Sequence, residues 1–394
     1  MRIRINENFS CLSEKYLFSE IQARVDAYKG AHGEGEEIIS LGIGDVSLPL
    51  PRVIARKMAS ASSKMSTERG FRGYGNTRGE LFLRDAISNR YRSRGVSLSE
   101  SEIFINDGAK SDLGNINDLL GDNDTVICDP VYPVYLDSSL ISGRRVHLVS
   151  ANESNSFMPT PEELPSEIRE RPLVIYLCSP NNPTGSAMTR DVLEKWVSHS
   201  QKSGSLIIFD AAYEAFISSC ELPHSIFEIE GARECAIEVC SFSKSAGFTG
   251  LRCGWTAISK ENPLHKLWER RQATKFNGAS YISQCGALES LSPIGAKKSA
   301  ENVAYYMENA KLLTRFFNRK GFVLSGGENA PYLWIKCPEN TSSWELFDLL
   351  LQSAQVVVTP GVGFGAGGEG YFRLSAFATR KNTLEAIHRL ENVL

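Results

Sequence analysis

Six short apolar segments between residues 102 and 259 constrain the fold of this chain more than any other feature. They are EIFIND (102–107), TVICD (125–129), LVIYLCS (173–179), SLIIFD (205–210), AIEVCSFS (236–243) and CGWTAIS (253–259). Most are apolar throughout, which indicates strands that are buried on both faces. Segments with the spacing of amphipathic helices, such as 79–95 and 189–204, lie among them. This order predicts an α/β fold with a mostly parallel sheet covered by helices on both faces.

The pattern changes after about residue 290. A long helix is predicted at about 297–320, followed by strands and two further helices, which is typical of a smaller α+β domain. The first 45 residues, with a helix at 18–29, are predicted to join this domain. We therefore predict an N-terminal arm at 1–45, a large domain at 46–290 and a small C-terminal domain at 291–394. A chain of 394 residues is long enough for such a division.

The composition argues against several classes of function. The net charge of −3 gives no reason to expect nucleic acid or an anionic membrane as a partner. No run approaches the roughly 18 apolar residues of a membrane span, and the N-terminus lacks the apolar core of a secretory signal. Nine cysteines without a C-x-x-C pair indicate reduced thiols in a cytoplasmic protein. The six histidines lack metal-ligand spacing, so no metal site is predicted.

Polar residues of particular types follow the predicted strands. Ligands of open α/β sheets bind beyond the carboxyl ends of the strands. The residues at these ends are Gly108, Ala109 and Lys110; Asp129 and Tyr132; Ser179 to Asn182; Asp210 and Tyr213; and Ser241 to Lys244. Because loops are generally polar, the chemical types carry more information than the number of these residues.

Lys244 stands in SFSKSAGFTGLRCGW, directly after an apolar strand. A single lysine in such a place is usually a surface-loop residue. The alternative is a lysine held for covalent chemistry, with Ser241, Ser243 and Arg252 gathered around an anion. Asp210, taken alone, is equally compatible with a helix cap.

One cofactor uses all of these side-chain types, namely pyridoxal 5′-phosphate. Its aldehyde needs a lysine, and its pyridine nitrogen needs a carboxylate, because the ring draws electrons only when that nitrogen is protonated. Its ring oxygen needs donors, and its ring needs a flat side chain for stacking. Its phosphate needs amides, hydroxyls and a guanidinium.

Three motifs, in this order, resemble the fold-type I, aspartate-aminotransferase-like family: SPNNPTG, DAAY and SFSKSAGFTGLRCGW. The resemblance covers essentially the whole chain. Further segments are similar to the LL-diaminopimelate aminotransferase branch of the family: LGIGDVSLPLP, FRGYG, NDGAKSD, DPVYPVY, TKFNGASY and GEGYFRLSAF. The resemblance implies a homodimer with shared active sites. It also implies reversible transfer of an amino group from LL-2,6-diaminopimelate to 2-oxoglutarate, giving tetrahydrodipicolinate and glutamate, in lysine and cell-wall biosynthesis.

The resemblance also implies roles for individual residues. Lys244 would attach the cofactor and move the proton, and Asp210 would pair with the ring nitrogen. The other cofactor contacts would be Asn182 and Tyr213 on the ring oxygen, Tyr132 on the ring face, and Ala109, Lys110, Ser241, Ser243 and Arg252 on the phosphate, with Tyr74 reaching it from the second subunit. Arg373 would bind the substrate α-carboxylate. The other substrate contacts would be Tyr16, Gly42, Lys110, Tyr132, Asn182 and Asn277.

One loop departs from the family pattern. Relatives carry an acidic residue after G-Y-G, in a pattern like GYGAEQG, whereas this chain reads GYGNTRG with Thr77 in the place of the acid. Because a hydroxyl is a weaker acceptor for the distal amine of diaminopimelate, the sequence predicts a less strict donor specificity.

Three other functions remain as alternatives. The first is another enzyme of the same family, such as an aromatic or alanine aminotransferase or a C–S lyase. The second is a non-catalytic sensor domain, but residues 1–45 contain no helix-turn-helix pattern or basic cluster. The third is a nicotinamide dehydrogenase, suggested by the G-x-G-x-x-G match GFGAGG at 363–368. A strand is predicted after that match where a nucleotide site needs a helix, so we interpret it as a flexible loop near the substrate.

Overall fold

The computed structural model describes residues 3–13, 17–33 and 37–394. The strands in this part of the chain are β1 (Ile39–Ser40), β2 (Ile103–Asn106), β3 (Thr125–Asp129), β4 (Val146–Ser150), β5 (Val174–Cys178), β6 (Leu206–Asp210), β7 (Ala236–Ser241), β8 (Gly254–Ile258), β9 (Leu324–Gly326), β10 (Tyr332–Lys336), β11 (Val356–Val357), β12 (Thr359–Pro360) and β13 (Tyr371–Ser375). The α-helices are α1 (Leu17–His32), α2 (Arg52–Met65), α3 (Leu81–Arg92), α4 (Ala109–Asn115), α5 (Pro133–Ile141), α6 (Ser166–Arg169), α7 (Arg190–Ser203), α8 (Ala232–Cys235), α9 (Phe242–Ser245), α10 (His265–Lys275), α11 (Tyr281–Ser290), α12 (Pro293–Arg319), α13 (Ser343–Ala354) and α14 (Arg380–Glu391).

A seven-stranded sheet organises the larger part of the molecule. Its strand order is β2-β8-β7-β6-β5-β3-β4, and every pair is parallel except the two that involve β8. Both faces of the sheet are covered, since Ile175 and Leu177 of β5 pack into one apolar cluster while Val174 and Tyr176 pack into another. The α/β fold with a mostly parallel sheet is therefore confirmed.

The edge strand β4 is the one strand of this sheet that was not predicted. Its sequence, VHLVS, includes a histidine, and Leu148 is about half exposed. Unlike β2 at the opposite edge, which is buried throughout, β4 is only partly buried, so it lacks the continuous apolar run that indicated the other six strands.

The predicted helices at 79–95 and 189–204 are confirmed as α3 and α7. The Thr189 hydroxyl accepts from the backbone N–H of Val192 at the start of α7. Gly204, in the left-handed region, ends the helix. These local signals explain why the sequence located α7 to within a residue or two.

A four-stranded antiparallel sheet, β12-β13-β10-β9, forms the core of the C-terminal part. Strand β1 pairs in parallel with β11, and the N–H of Ser375 in β13 donates to the Leu41 carbonyl at 2.6 Å. The segment after β1 is therefore held beside the C-terminal strands. The bounds 1–45, 46–290 and 291–394 of the three proposed regions stay a prediction.

The glycine loop at 363–368 forms two short 3₁₀ turns and is followed by strand β13. The helix that a nucleotide site needs is not there. The loop was predicted to be flexible, but the structure holds it against Asp129, whose carboxylate accepts from the N–H of Gly367 at 2.9 Å. A Cβ on Gly365 would overlap the same carboxylate, so the close approach requires glycine. Among the described residues, no helix combines the length and apolarity needed to cross a membrane.

Candidate active site

A cavity of about 280 Å³ lies beyond the carboxyl ends of the parallel strands. It is lined by ten of the eleven residues predicted to contact the cofactor: Ala109, Lys110, Tyr132, Asn182, Asp210, Tyr213, Ser241, Ser243, Lys244 and Arg252. These residues come from six separate segments of the chain. The sheet brings them together because its parallel strands end at one edge.

Lys244 lies in the single turn of α9, directly after β7. Its Nζ donates to the backbone carbonyl of Gly44. Burial lowers the pKa of Lys244 to about 8, an effect that nearby Asp45 opposes and that Arg373 and Arg252 reinforce. An amine with this pKa is more readily deprotonated than an ordinary lysine, as a nucleophile or proton carrier must be.

Asp210 ends β6 and is almost fully buried. Its Oδ2 accepts from the Tyr135 hydroxyl at 2.6 Å, and its Oδ1 accepts from the N–H of Ala212 at 3.0 Å. Burial raises the pKa of Asp210, and the two donors oppose that shift. Tyr135 was missed by the sequence analysis, although it stands three residues after Tyr132 and also lines the cavity.

A basic and hydroxyl-rich part of the cavity surrounds Arg252. Its Nη1 lies 3.3 Å from the Ser243 hydroxyl, and the Ser241 hydroxyl accepts from the N–H of Ser243 at 3.0 Å. A Cβ on Gly108, just before α4, would overlap the Arg252 guanidinium. The backbone at Gly108 therefore lies close to the Arg252 guanidinium. Together with the serine hydroxyls, these groups are suited to binding a phosphate.

Arg373 is buried in β13, with 1% of its surface exposed. Its Nη1 donates to Asn182 Oδ1 and its Nη2 to the Gly42 carbonyl, both at 2.6 Å. The guanidinium lies 4.5 Å from the ring centroid of Tyr332 and 4.8 Å from that of Phe364. Burial lowers the pKa of Arg373. Arg373 thus reaches the cavity wall through Asn182.

Two further residues near the site were missed by the sequence analysis. The hydroxyls of Tyr213 and Tyr332 are 2.8 Å apart, and a Cβ on Gly44 would overlap the Tyr332 hydroxyl. Gly44 lies two residues after the predicted Gly42 in the segment LGIGD. The two closely spaced glycines of that segment could have indicated Gly44 from the sequence, whereas no local sequence pattern indicates Tyr332.

Among the described residues, the ones predicted for the site that do not line the cavity are Tyr74, Asn277, Gly42 and Arg373. Gly42 and Arg373 are nevertheless hydrogen-bonded to each other beside it. Tyr74 is 91% exposed, Asn277 is also exposed, and neither lines the cavity. Their loops adjoin one another, since a Cβ on Gly278 would lie 3.1 Å from the carbonyl of Asn76. Tyr16 lies outside the described residues.

The residues present fit pyridoxal phosphate. The cavity presents a lysine with a lowered pKa, a buried carboxylate that is not paired with a cation among the described residues, and a guanidinium beside hydroxyls. These are the groups that the aldehyde, the ring nitrogen and the phosphate of that cofactor require. The fold and the cavity thus define a pyridoxal phosphate-dependent enzyme.

The comparisons with known proteins agree with this class. Residues 36–390 match the family described as aminotransferase class I and II. A protein of Bacteroides fragilis named LL-diaminopimelate aminotransferase is 48% identical over 408 residues, covering 99% of each chain. A protein of Prochlorococcus marinus with the same name is 47% identical, covering 99% of this chain and all of that one.

A solved structure shows the same likeness. The L,L-diaminopimelate aminotransferase from Chlamydomonas reinhardtii superposes with a TM-score of 0.92 at 40% identity, covering 100% of this chain and 99% of that one. The chain belongs to the class I and II aminotransferases, which are pyridoxal phosphate-dependent enzymes.

Proposed function

We propose that this chain catalyses reversible transamination between LL-2,6-diaminopimelate and 2-oxoglutarate, giving tetrahydrodipicolinate and glutamate, in lysine biosynthesis. The observation that carries the proposal is the cavity that unites Lys244, Asp210 and Arg252 in a chain whose near-full-length relatives bear the corresponding name. An aromatic or alanine aminotransferase and a C–S lyase are not favoured, because the relatives at this identity are diaminopimelate aminotransferases.

When bound, pyridoxal phosphate supplies an aldehyde that accepts the amino group and a ring that draws electrons from the substrate. In the proposed assignment, Lys244 Nζ removes and returns the proton at the substrate α-carbon. Asp210 would hold a positive charge on the ring nitrogen. Asn182 and Tyr213 would donate to the ring oxygen and Tyr132 would stack on the ring. The phosphate would be held by Ala109, Lys110, Ser241, Ser243 and Arg252.

Arg373 is proposed to bind the substrate α-carboxylate. Its planar guanidinium is suited to a two-point contact. The present partners of the Arg373 Nη atoms are neutral oxygens, those of Asn182 and Gly42 at 2.6 Å and the Thr359 hydroxyl at 3.4 Å. Its Nε has no hydrogen-bond partner in the described part of the chain. A carboxylate would supply the negative charge that this buried cation lacks.

The proposed activity is tested with the purified enzyme loaded with pyridoxal phosphate. We expect glutamate to form from 2-oxoglutarate with LL-diaminopimelate and not with the meso isomer. Turnover of aromatic amino acids or alanine without turnover of LL-diaminopimelate would overturn the proposal. Release of a thiol or sulfide from cystathionine-like donors would indicate a C–S lyase instead.

We also propose that the enzyme is a cytoplasmic homodimer with shared sites. The exposed Tyr74 and Asn277 stand outside their own cavity, and Phe71 and Leu81 near Tyr74 expose apolar surface. Exposed large apolar side chains in one segment are compatible with a protein–protein contact. Each of the nine cysteines is a free thiol, as expected in a reducing compartment.

Mixing a Lys244→Ala chain with a Tyr74→Phe chain is expected to restore activity. If Tyr74 serves the neighbouring site, half of the heterodimer sites contain both intact residues and the other half carry both lesions. The measurement is the specific activity of the isolated heterodimer. Mixing Lys244→Ala with Asp210→Asn is the control, because both residues line the cavity of their own chain and no intact site forms. Activity no higher than that of the Lys244→Ala and Tyr74→Phe homodimers would argue against shared sites.

Replacing Thr77 by glutamate is expected to sharpen the preference for LL-diaminopimelate over shorter or singly aminated donors. Thr77 is partly exposed beside Asn76, in the loop that carries Tyr74. If a carboxylate there reaches the distal amine, the gain is about 1–2 kcal/mol in the ratio of kcat/KM values. Thr77→Gln has the length of glutamate without its charge and serves as the control. A wild-type enzyme that rejects every donor except LL-diaminopimelate would contradict this expectation.

A further inference from the structure

The segment Gly42–Asp45 runs along the wall of the candidate active site. The Gly42 carbonyl accepts from Arg373, and the Gly44 carbonyl accepts from Lys244. Asp45, the next residue, lines the cavity itself. The segment therefore passes the proposed α-carboxylate site, then the lysine, and then reaches a carboxylate. The distance from Gly42 to Asp45, three residues along the chain, is therefore at most about 10 Å.

Asp45 is one of two carboxylates around the cavity. Among the described residues that line it, Asp210 and Asp45 are the acidic ones. Asp210 is buried and assigned to the cofactor, whereas Asp45 is exposed. Its Oδ1 accepts from the N–H of Val46 at 2.8 Å. Because a carboxylate has acceptor sites for about four hydrogen bonds, Asp45 can also accept from a ligand.

The charge of Asp45 acts inside the site. It opposes the burial that lowers the pKa of Lys244, so its field reaches the lysine ammonium. Lys110, the other lysine that lines the cavity, is positively charged and therefore does not attract a cation. Asp45 is thus an exposed carboxylate that lines the cavity, directly after the residue whose carbonyl holds Lys244.

The proposed substrate has a second ammonium that needs such a group. Its distal α-carbon is four carbon–carbon bonds from the reacting carbon, or about 5 Å in an extended chain. That length lies within the roughly 10 Å that the three residues from Gly42 to Asp45 can span at most. An ammonium taken from water needs a carboxylate or several acceptors, and Thr77 offers a neutral hydroxyl.

We infer that Asp45 is a specificity-determining residue that binds the distal ammonium of the diamino acid. The inference rests on the proposed function, because it requires a donor with two amino groups. It does not assign Asp45 any part in the proton transfer.

The test compares Asp45→Asn with wild type on two donors that differ in one group. LL-2,6-diaminopimelate carries the distal ammonium, and L-2-aminopimelate has the same chain and both carboxylates without it. We expect KM for LL-diaminopimelate to rise at least tenfold in Asp45→Asn, and the ratio of kcat/KM for LL-diaminopimelate to that for L-2-aminopimelate to fall by about the same factor, because any effect of the Asp45 charge on Lys244 acts on both donors alike. Asp45→Glu is expected to recover part of the lost discrimination.

Asp85→Asn is the matched control, since Asp85 is an exposed carboxylate on α3 outside the cavity. It is expected to leave the KM for both donors unchanged. Equal losses on both donors in Asp45→Asn would show that Asp45 only supports Lys244 and would overturn the inference, as would an unchanged KM for LL-diaminopimelate. A wild-type enzyme that transaminates L-2-aminopimelate but not LL-diaminopimelate would overturn the proposed function, and the inference with it.

Discussion

We expect the replacement of Lys244 by alanine to abolish transamination. Lys244 Nζ is the amine in the cavity with a lowered pKa, held at the Gly44 carbonyl, and alanine can neither bind the cofactor covalently nor carry a proton. The variant should still retain pyridoxal phosphate through Arg252, Ser241 and Ser243. Two measurements check this: glutamate formation, and the visible absorbance band of the lysine-bound cofactor, which should be lost.

Lys260→Ala is the control for Lys244→Ala. Lys260 is exposed after β8 and does not line the cavity, so its removal should leave both the absorbance band and turnover unchanged. Near-normal turnover in Lys244→Ala would remove the basis for the whole site assignment.

Replacing Asp210 by asparagine should give an enzyme that binds the cofactor but turns over at least about 100-fold more slowly. The amide has nearly the shape of the carboxylate and can keep the hydrogen bond from Ala212 N–H. It carries no negative charge, so it cannot stabilise the protonated ring nitrogen. A loss of a few kcal/mol of transition-state stabilisation corresponds to about this factor in rate. The measurement is kcat with the cofactor content of each preparation determined.

The Tyr135→Phe variant distinguishes the effect of the Asp210 charge from the effect of the hydrogen bond that Asp210 accepts. This variant removes the hydroxyl that donates to Asp210 at 2.6 Å and leaves the carboxylate in place, so we expect a much smaller fall in kcat. If Asp210→Asn has the kcat of the wild type, Asp210 is a structural residue at the end of β6.

The larger sheet was predictable because six of its seven strands are buried on both faces. Burial on both faces requires continuous apolar runs, and these are visible without knowing the neighbours. Strand β4 lies at the edge, where Leu148 is about half exposed, and its signal was correspondingly weak. Helix α7 was predicted from its amphipathic spacing, and its ends agree with the local signals of Thr189 and Gly204.

The candidate site was predictable where it follows parallel strands. Asp210 is the last residue of β6 and Lys244 lies in the turn of α9 that follows β7, so their convergence follows from the sheet. Tyr332 and Asp45 approach from distant parts of the chain, and their contacts depend on how the C-terminal sheet packs. Arg373 was found only through resemblance, since nothing in its local sequence distinguishes it from the arginine of an ion pair.

The burial of Arg373 has a consequence for the stability of this chain. In the described part of the molecule no carboxylate pairs with this guanidinium, which lies between two aromatic rings and bonds to neutral oxygens. A buried cation without a counter-ion lowers the stability of the folded protein, and a bound carboxylate relieves that cost by mass action. An apolar residue at position 373 would avoid this cost but would leave the Asn182 amide oxygen and the Gly42 carbonyl without the donor that Arg373 provides. The stability of the unliganded fold and the proposed binding of a substrate carboxylate thus depend on the same buried guanidinium.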